Sequence, residues 1–465
     1  MRKLIPLLAI SFFLYGCPPK SPYVRPGLPV PSAWPEKAAA EAGAPGAPAA
    51  SSLKWREFFT DQRLQSVIEL ALANNRDLRV AALNIEKVQA LYRIQRAELY
   101  PAVAVSAGAD AYRVPENLSG GDHAKTVSQY TVGLGAASWE LDFFGRIRSL
   151  KTQVLEQYLA TEQARSATQI SLVAAVAGSY LALAADREGL KLAQDTLDAQ
   201  QASFELIRRT AELGMASDLD VRQAQSQVEA ARVDIASFSG QVARDENALN
   251  LLVGTPVTSG LLADELSKVG GLKDIAAGLP SDVLLRRPDI LAAEHQLIAA
   301  NANIGAARAA FFPRIALTAA AGITSSDLTN LFKPAAGTWN FAPQAALPIF
   351  DYGARQAGYK AAAVDRDVAV AEYEKSIQSA FREVSDALSL RATLASQQQA
   401  LQSLVDALQE TYRLSEARYK GGIDSYLSVL VAQRALYAAQ QQLVGIRLAR
   451  LSNLVTLYKV LGGGD

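Results

Sequence analysis

The chain has 465 residues, which is long for one compact domain. Half of them are hydrophobic and 20% are charged, which excludes wholesale disorder; 46 basic residues balance 46 acidic ones, so charge gives no reason to expect nucleic acid. One cysteine, Cys17, and two histidines, His123 and His295, exclude a disulfide framework and leave almost nothing for a metal site or a His-dependent catalytic centre, so no cofactor, no metal and no enzyme activity are expected.

Residues 1–16 read as an export signal. Arg2 and Lys3 supply the positive start, and Leu4–Gly16 is an apolar stretch of 13 residues, too short to span a bilayer. It ends in Leu14-Tyr15-Gly16-Cys17, which resembles a bacterial lipoprotein signal. That resemblance implies cleavage before Cys17 and acyl chains on its sulfur and new N-terminus. Pro18 in place of Asp favours sorting to the outer membrane. Residues 17–52 then form a lipidated tether, since ten of the 19 prolines lie before residue 49 and such composition builds no core. After residue 16 no unbroken run of 18 apolar residues occurs, so no transmembrane helix is expected.

The remainder reads as one unit written twice. Ala97-Glu98-Leu99-Tyr100-Pro101 matches Ala309-Ala310-Phe311-Phe312-Pro313 at an offset of 212. Phe144-Gly145, Gly214-Met215-Ala216-Ser217 and Val253-Gly254 match Tyr352-Gly353, Gly422-Ile423-Asp424-Ser425 and Leu461-Gly462 at an offset of 208. A collinear set of this kind is the mark of duplication. The first copy occupies 53–256 and the second 286–465, with a connector over 257–285.

Proline is absent between Pro115 and Pro256 and after Pro348, and the long blocks are rich in helix formers. Helices are predicted over about 74–99, 143–212 and 218–252, and again over about 287–311, 351–420 and 426–460. Val221, Ala224, Val228, Ala231 and Ile235 open a heptad whose phase recurs in Val429, Ala432, Leu436, Ala439 and Leu443. Both copies put a polar residue, Asp245 or Asn453, at its eighth position. Sustained 3.5-residue periodicity means helices packed as coiled coils.

Alternating segments predict strands over about 102–113, 128–141, 314–325 and 338–349, with a bulge or edge at Pro343. Each is long enough to cross a bilayer when tilted. Aromatics at their helix-proximal ends, among them Tyr100, Phe143, Phe144, Phe311, Phe312 and Phe350, suit a membrane interface. Four strands cannot close a barrel in lipid without unpaired edges, whereas three copies would supply 12. The expected fold is therefore membrane α+β: a β-barrel of four strands per chain continued by a long coiled-coil helical barrel.

At this point the sequence resembles the outer membrane factors of tripartite efflux systems, in particular the lipoprotein branch that includes the pseudomonad multidrug efflux channels. The residues carrying the resemblance are Trp139-Glu140-Leu141-Asp142-Phe143-Phe144-Gly145-Arg146, Leu285-Arg286-Arg287-Pro288-Asp289-Ile290, Phe311-Phe312-Pro313-Arg314-Ile315 and Tyr419-Lys420-Gly421-Gly422-Ile423-Asp424-Ser425-Tyr426-Leu427. The resemblance implies a homotrimer in outer membrane lipid, reaching into the periplasm, with an equatorial collar from 257–285 and the chain ends. Its partners would be a periplasmic adaptor (membrane fusion) protein and an inner-membrane pump of resistance-nodulation-division type, and its cargo drugs or other small toxic compounds. By the same resemblance Leu427 matches a constricting leucine at the periplasmic tip, and Arg418 and Tyr419 match residues holding neighbouring helices together. Where the family often has an aspartate this chain has Val431, which leaves closure to Asp424 or to an apolar plug. Leu427 and Val431 are equally consistent with plain coiled-coil packing. Metal-ion efflux, protein secretion and a pore-less coiled-coil scaffold remain the alternatives.

Overall fold

A computed structural model describes residues 23–35, 48, 53–120 and 123–463. The leader, Cys17 and most of the tether lie outside the described residues. In chain order the described elements are helices α1 (Trp55–Phe58), α2 (Gln62–Asn74) and α3 (Arg76–Ala97), strand β1 (Val103–Val114), helix α4 (Glu116–Ser119) and strand β2 (Lys125–Glu140). Then come helices α5 (Arg146–Glu212), α6 (Asp218–Val253), α7 (Pro280–Leu284) and α8 (Pro288–Ala309), strands β3 (Arg314–Ser325) and β4 (Gly337–Ala346), and helices α9 (Ala354–Lys420) and α10 (Tyr426–Val460).

The duplication is carried into the elements. Helices α3 and α8 both have 22 residues and begin at 76 and 288, which is 212 apart. Helices α5 and α9 both have 67 residues and begin at 146 and 354, which is 208 apart. Local chemistry sets these ends. Asp142 accepts the backbone N–H groups of Ile147 (3.1 Å) and Arg148 (2.9 Å) at the start of α5, and Asp351 accepts those of Gly353 and Arg355 (3.1 Å each) at the start of α9. Each carboxylate meets otherwise unpaired first-turn donors and the positive end of the helix dipole.

The chain forms two compact units, each drawn from both copies. One takes Asn84–Glu162 and Ala292–Tyr373 with the described part of Met1–Gly27; the other takes Leu28–Leu83, Gln163–Leu291 and Glu374–Asp465.

The first unit contains one antiparallel sheet in the order β1-β2-β3-β4. Its register places Val105, Leu134, Ala321 and Trp339 in one row, and Val103, Ala136, Ala319 and Phe341 in the next row of the same face. The opposite face carries Ser106, Gly133, Gly322 and Thr338, then Ala104, Gly135, Ala320 and Asn340. A Cβ on Gly135 would stand 2.6 Å from the carbonyl oxygen of Ala319, so only glycine admits this approach. One face is thus apolar and the other small or polar, as the period of two requires. Val105, Leu134, Trp339 and Phe341 are all exposed.

Strand bounds differ from expectation at two ends. β2 begins at Lys125, because Lys125, Thr126 and Val127 continue the ladder opposite Val114, Arg113 and Tyr112. β4 stops at Ala346, two residues before Pro348, which has no N–H for a ladder. Pro343 makes no bulge; it pairs in register with Leu317 on an edge strand, where a missing donor does no harm. The register shift lies instead between Ala136 and Trp139 of β2, where Ser138 has a φ of 54°.

In the second unit, the buried face of α5, with Val173, Val176, Ala177, Tyr180, Leu181 and Ala184, belongs to a core that also holds Leu64, Val67, Ile68 and Ala71 of α2. An 18-residue window of α5 is apolar enough to cross a bilayer by composition, but over half of it is buried inside the chain. The connector and chain ends meet here. Phe59 bridges Leu272, Tyr180 donates to the carbonyl of Leu261 at 3.2 Å, and the Tyr458 ring stacks on Phe58 at 4.3 Å. Arg287 is buried, donating to Asp289 (2.7 Å), Glu383 (2.9 Å) and the carbonyl of Val460 (2.8 Å).

Candidate functional site

The two helical hairpins of the second unit turn by the same device. In the first, the Gly214 amide donates to Ala211 and that of Met215 to Thr210; in the second, Gly422 donates to Tyr419 and Ile423 to Arg418. Gly214 has φ +73° and Gly422 φ +68°, the left-handed conformation that ends helices at low cost for glycine alone. Ser217 and Asp220 then form a capping box at the start of α6. Ser425 makes no side-chain cap for α10; the acidic residue beside it, Asp424, turns to Arg418 instead.

One apolar cluster joins the hairpins. Ile207 and Ala224 of the first copy pack with Tyr426, Val429 and Leu430 of the second, with Tyr412 and Tyr419 against them. The Tyr419 and Tyr426 rings lie 5.6 Å apart. Burial pushes the Tyr426 hydroxyl up to about 12, so it stays protonated.

The five tip residues separate into three roles. Tyr419 is half-buried in the cluster that binds the two hairpins. Arg418 meets Asp424 through Nε at 2.5 Å and Nη2 at 3.3 Å, a link across the turn that holds the Asp424 carboxyl below its usual range. Leu427 and Val431 remain exposed at 51% and 60%, on the side of α10 away from Val429, Leu430 and Gln433. Neither belongs to the apolar cluster that joins the hairpins. Spaced four apart, they form one apolar strip.

Two features were not singled out in the sequence. Leu219, the counterpart of Leu427 at the offset of 208, is also exposed, and the offset alone locates it. Asp186 of α5 hydrogen-bonds Asp245 of α6, and desolvation with that bond pushes the Asp186 carboxyl up to about 7. The two histidines are structural or solvated: His295 Nδ1 lies 2.7 Å from Glu156 Oε2, and exposed His123 sits in the β1–β2 connection.

The sequence model described as outer membrane efflux protein matches residues 67–255 and again 279–463, the two copies. The chain belongs to the outer membrane efflux protein family. Among its relatives are the toluene efflux pump outer membrane protein TtgC and the antibiotic efflux pump outer membrane protein ArpC, both of Pseudomonas putida. Each is 49% identical, covering 100% of this chain and 96% of the relative. A solved membrane protein from Pseudomonas aeruginosa superposes with a TM-score of 0.91 at 40% identity, over 96% of this chain and 98% of that one. The efflux protein is accordingly a channel of the outer membrane rather than an enzyme, with the duplicated strand-and-long-helix fold of its family.

Proposed function

We propose that three copies of this efflux protein close a 12-stranded barrel and that their helices continue it into the periplasm as a conduit. The observation that carries this reading is the four-stranded sheet, with one apolar face uncovered and both β1 and β4 paired on one side only. In lipid each unpaired backbone group costs several kcal/mol, so β1 of one copy must meet β4 of the next. Cys17 carries the acyl chains that add a second hold on the membrane. The conduit receives cargo from a periplasmic adaptor and an inner-membrane pump of resistance-nodulation-division type. The relatives named for toluene and antibiotic efflux point to small apolar or amphipathic compounds as that cargo.

At the tip, three copies each of Leu427 and Val431 give two stacked apolar rings. Such a constriction closes by dewetting and needs no acidic ring. The Arg418–Asp424 link and Tyr419 hold the turn that presents those rings. The test is complementation of a strain lacking its own efflux channel. Tolerance to toluene should return when this chain is supplied with adaptor and pump, and not without them. Tolerance restored by the chain alone would contradict a passive conduit.

A further inference from the structure

We infer that a cavity between the start of α3 and the body of α5 is a binding site for a phosphate monoester, held by Arg76, Arg79 and Arg165.

The cavity has a volume of about 340 Å³ and lies wholly within the second unit. That is the size of a small-molecule site rather than of a single ion. Arg76 and Arg79 come from the opening turns of α3 and half-buried Arg165 from α5. No acidic residue lines the cavity; Asp77, in the same turn, is not part of its wall. Among the described residues none of the three guanidiniums pairs with a carboxylate. Asn75 forms the buried part of the wall, but both ends of its side chain are engaged within the protein. Its amide donates to the carbonyl of Leu252, and its oxygen accepts the Leu78 N–H, each at 2.8 Å. A second cavity, of about 310 Å³, shows the contrast. Glu188, Asp195 and Glu265 line it together with Lys191 and Arg447, and Lys191 meets Glu265 at 2.7 Å, so its charges offset one another. In the arginine cavity three like charges repel until an anion enters.

The duplication sharpens the point. At the offsets of 212 and 208, Asn75 and Ala82 correspond to Arg287 and Glu294, and Arg165 to Tyr373. In the second copy the charges at these positions are answered inside the chain. Arg287 meets Asp289 and Glu383, and Glu294, 8% exposed, accepts from Arg25 Nε at 2.7 Å and Nη2 at 2.6 Å. The first copy has Ala82 in place of Glu294 and Ala175 in place of Glu383, and it carries guanidiniums instead. Its counter-charge therefore comes from outside the chain.

A carboxylate presents two oxygens and is satisfied by one guanidinium fork. Three forks suit a group with three acceptor oxygens and nearly two charges, which is a phosphate monoester. The room beyond the phosphate takes the sugar or glycerol that carries it.

Calorimetric titration of the purified full chain in detergent at low salt tests this, with glucose 1-phosphate and inorganic phosphate as probes. Glucose 1-phosphate should bind, raise the Tm, and bind more weakly as salt rises. Arg76→Gln with Arg165→Gln should weaken it at least tenfold, whereas Lys191→Gln with Arg447→Gln, in the mixed-charge cavity, should leave it within twofold. Arg79→Gln alone, at an exposed position, should weaken it at least threefold and serves where the double variant does not fold. Inorganic phosphate binding as tightly as the ester would support the same site with free phosphate as its source. No binding of either probe, or unchanged binding in the arginine variants, would overturn the site. So would loss of trimers in the double variant while the parent binds neither probe, since a neighbouring copy would then fill the cavity.

Discussion

Leu427 and Val431, proposed above as the constriction, differ in exposure from their neighbours on α10. On the same helix Val429, Leu430 and Ala432 are buried, while these two remain open. Replacing both with Ser should raise single-channel conductance in planar bilayers and increase sensitivity to large antibiotics such as vancomycin. Folding within the chain should be little affected, because both side chains are largely exposed and lie outside the apolar cluster that joins the hairpins. If the double variant conducts like the parent, closure lies with the Arg418–Asp424 link. The Asp186–Asp245 pair predicts a pH dependence. A carboxyl raised from 3.8 to about 7 contributes stability that is complete below about 3.8 and is lost as pH rises through 7. Asp186→Asn should flatten that dependence and stabilise the protein at pH 8.5 by about 1–2 kcal/mol after solvent screening. Thermal unfolding in detergent at pH 5.5 and 8.5 measures it, and an unchanged difference in the variant would sink the idea. Asp245 was legible as the polar break in the heptad. Its partner was not, because nothing local in the sequence says that Asp186 faces it. The same holds for Arg25 and Glu294, whose meeting depends on how distant segments pack.

The elements were more legible than the contacts. Proline-free blocks and the two constant offsets located both 67-residue helices, since periodicity and helix-breaking residues are local signals. Strand ends were less clear: Lys125-Thr126-Val127 resembles a loop until it is seen opposite β1, and Pro348 ends β4 before its apolar run does. The face alternation of the sheet gives a sharp test. Val105→Arg places a charge on the apolar face and should reduce barrel stability by about 2–4 kcal/mol, whereas Ser106→Arg, on the opposite face, should cost far less. Urea unfolding in lipid vesicles compares them; equal losses would mean that the faces are assigned the wrong way round. Arg287 plays the comparable part for the helices. Its buried guanidinium joins Asp289, Glu383 and the last turn of α10, so Arg287→Ala should lower stability by about 3 kcal/mol, read as a fall in Tm.

At the scale of the whole molecule, the single chain is incomplete. Its sheet ends in two strands paired on one side only, and Val105, Trp339 and Phe341 of its apolar face are exposed among the described residues. The sequence already carried this conclusion, because four membrane strands are too few to close. Duplication of a two-strand unit gives four per chain, and only association supplies the rest. The most direct measurement is the mass of the purified particle in detergent by native mass spectrometry, taken with its strand content by circular dichroism. Three chains per particle, helix-dominant with strand retained, is the predicted result. A stable monomer with the same strand content would contradict the account.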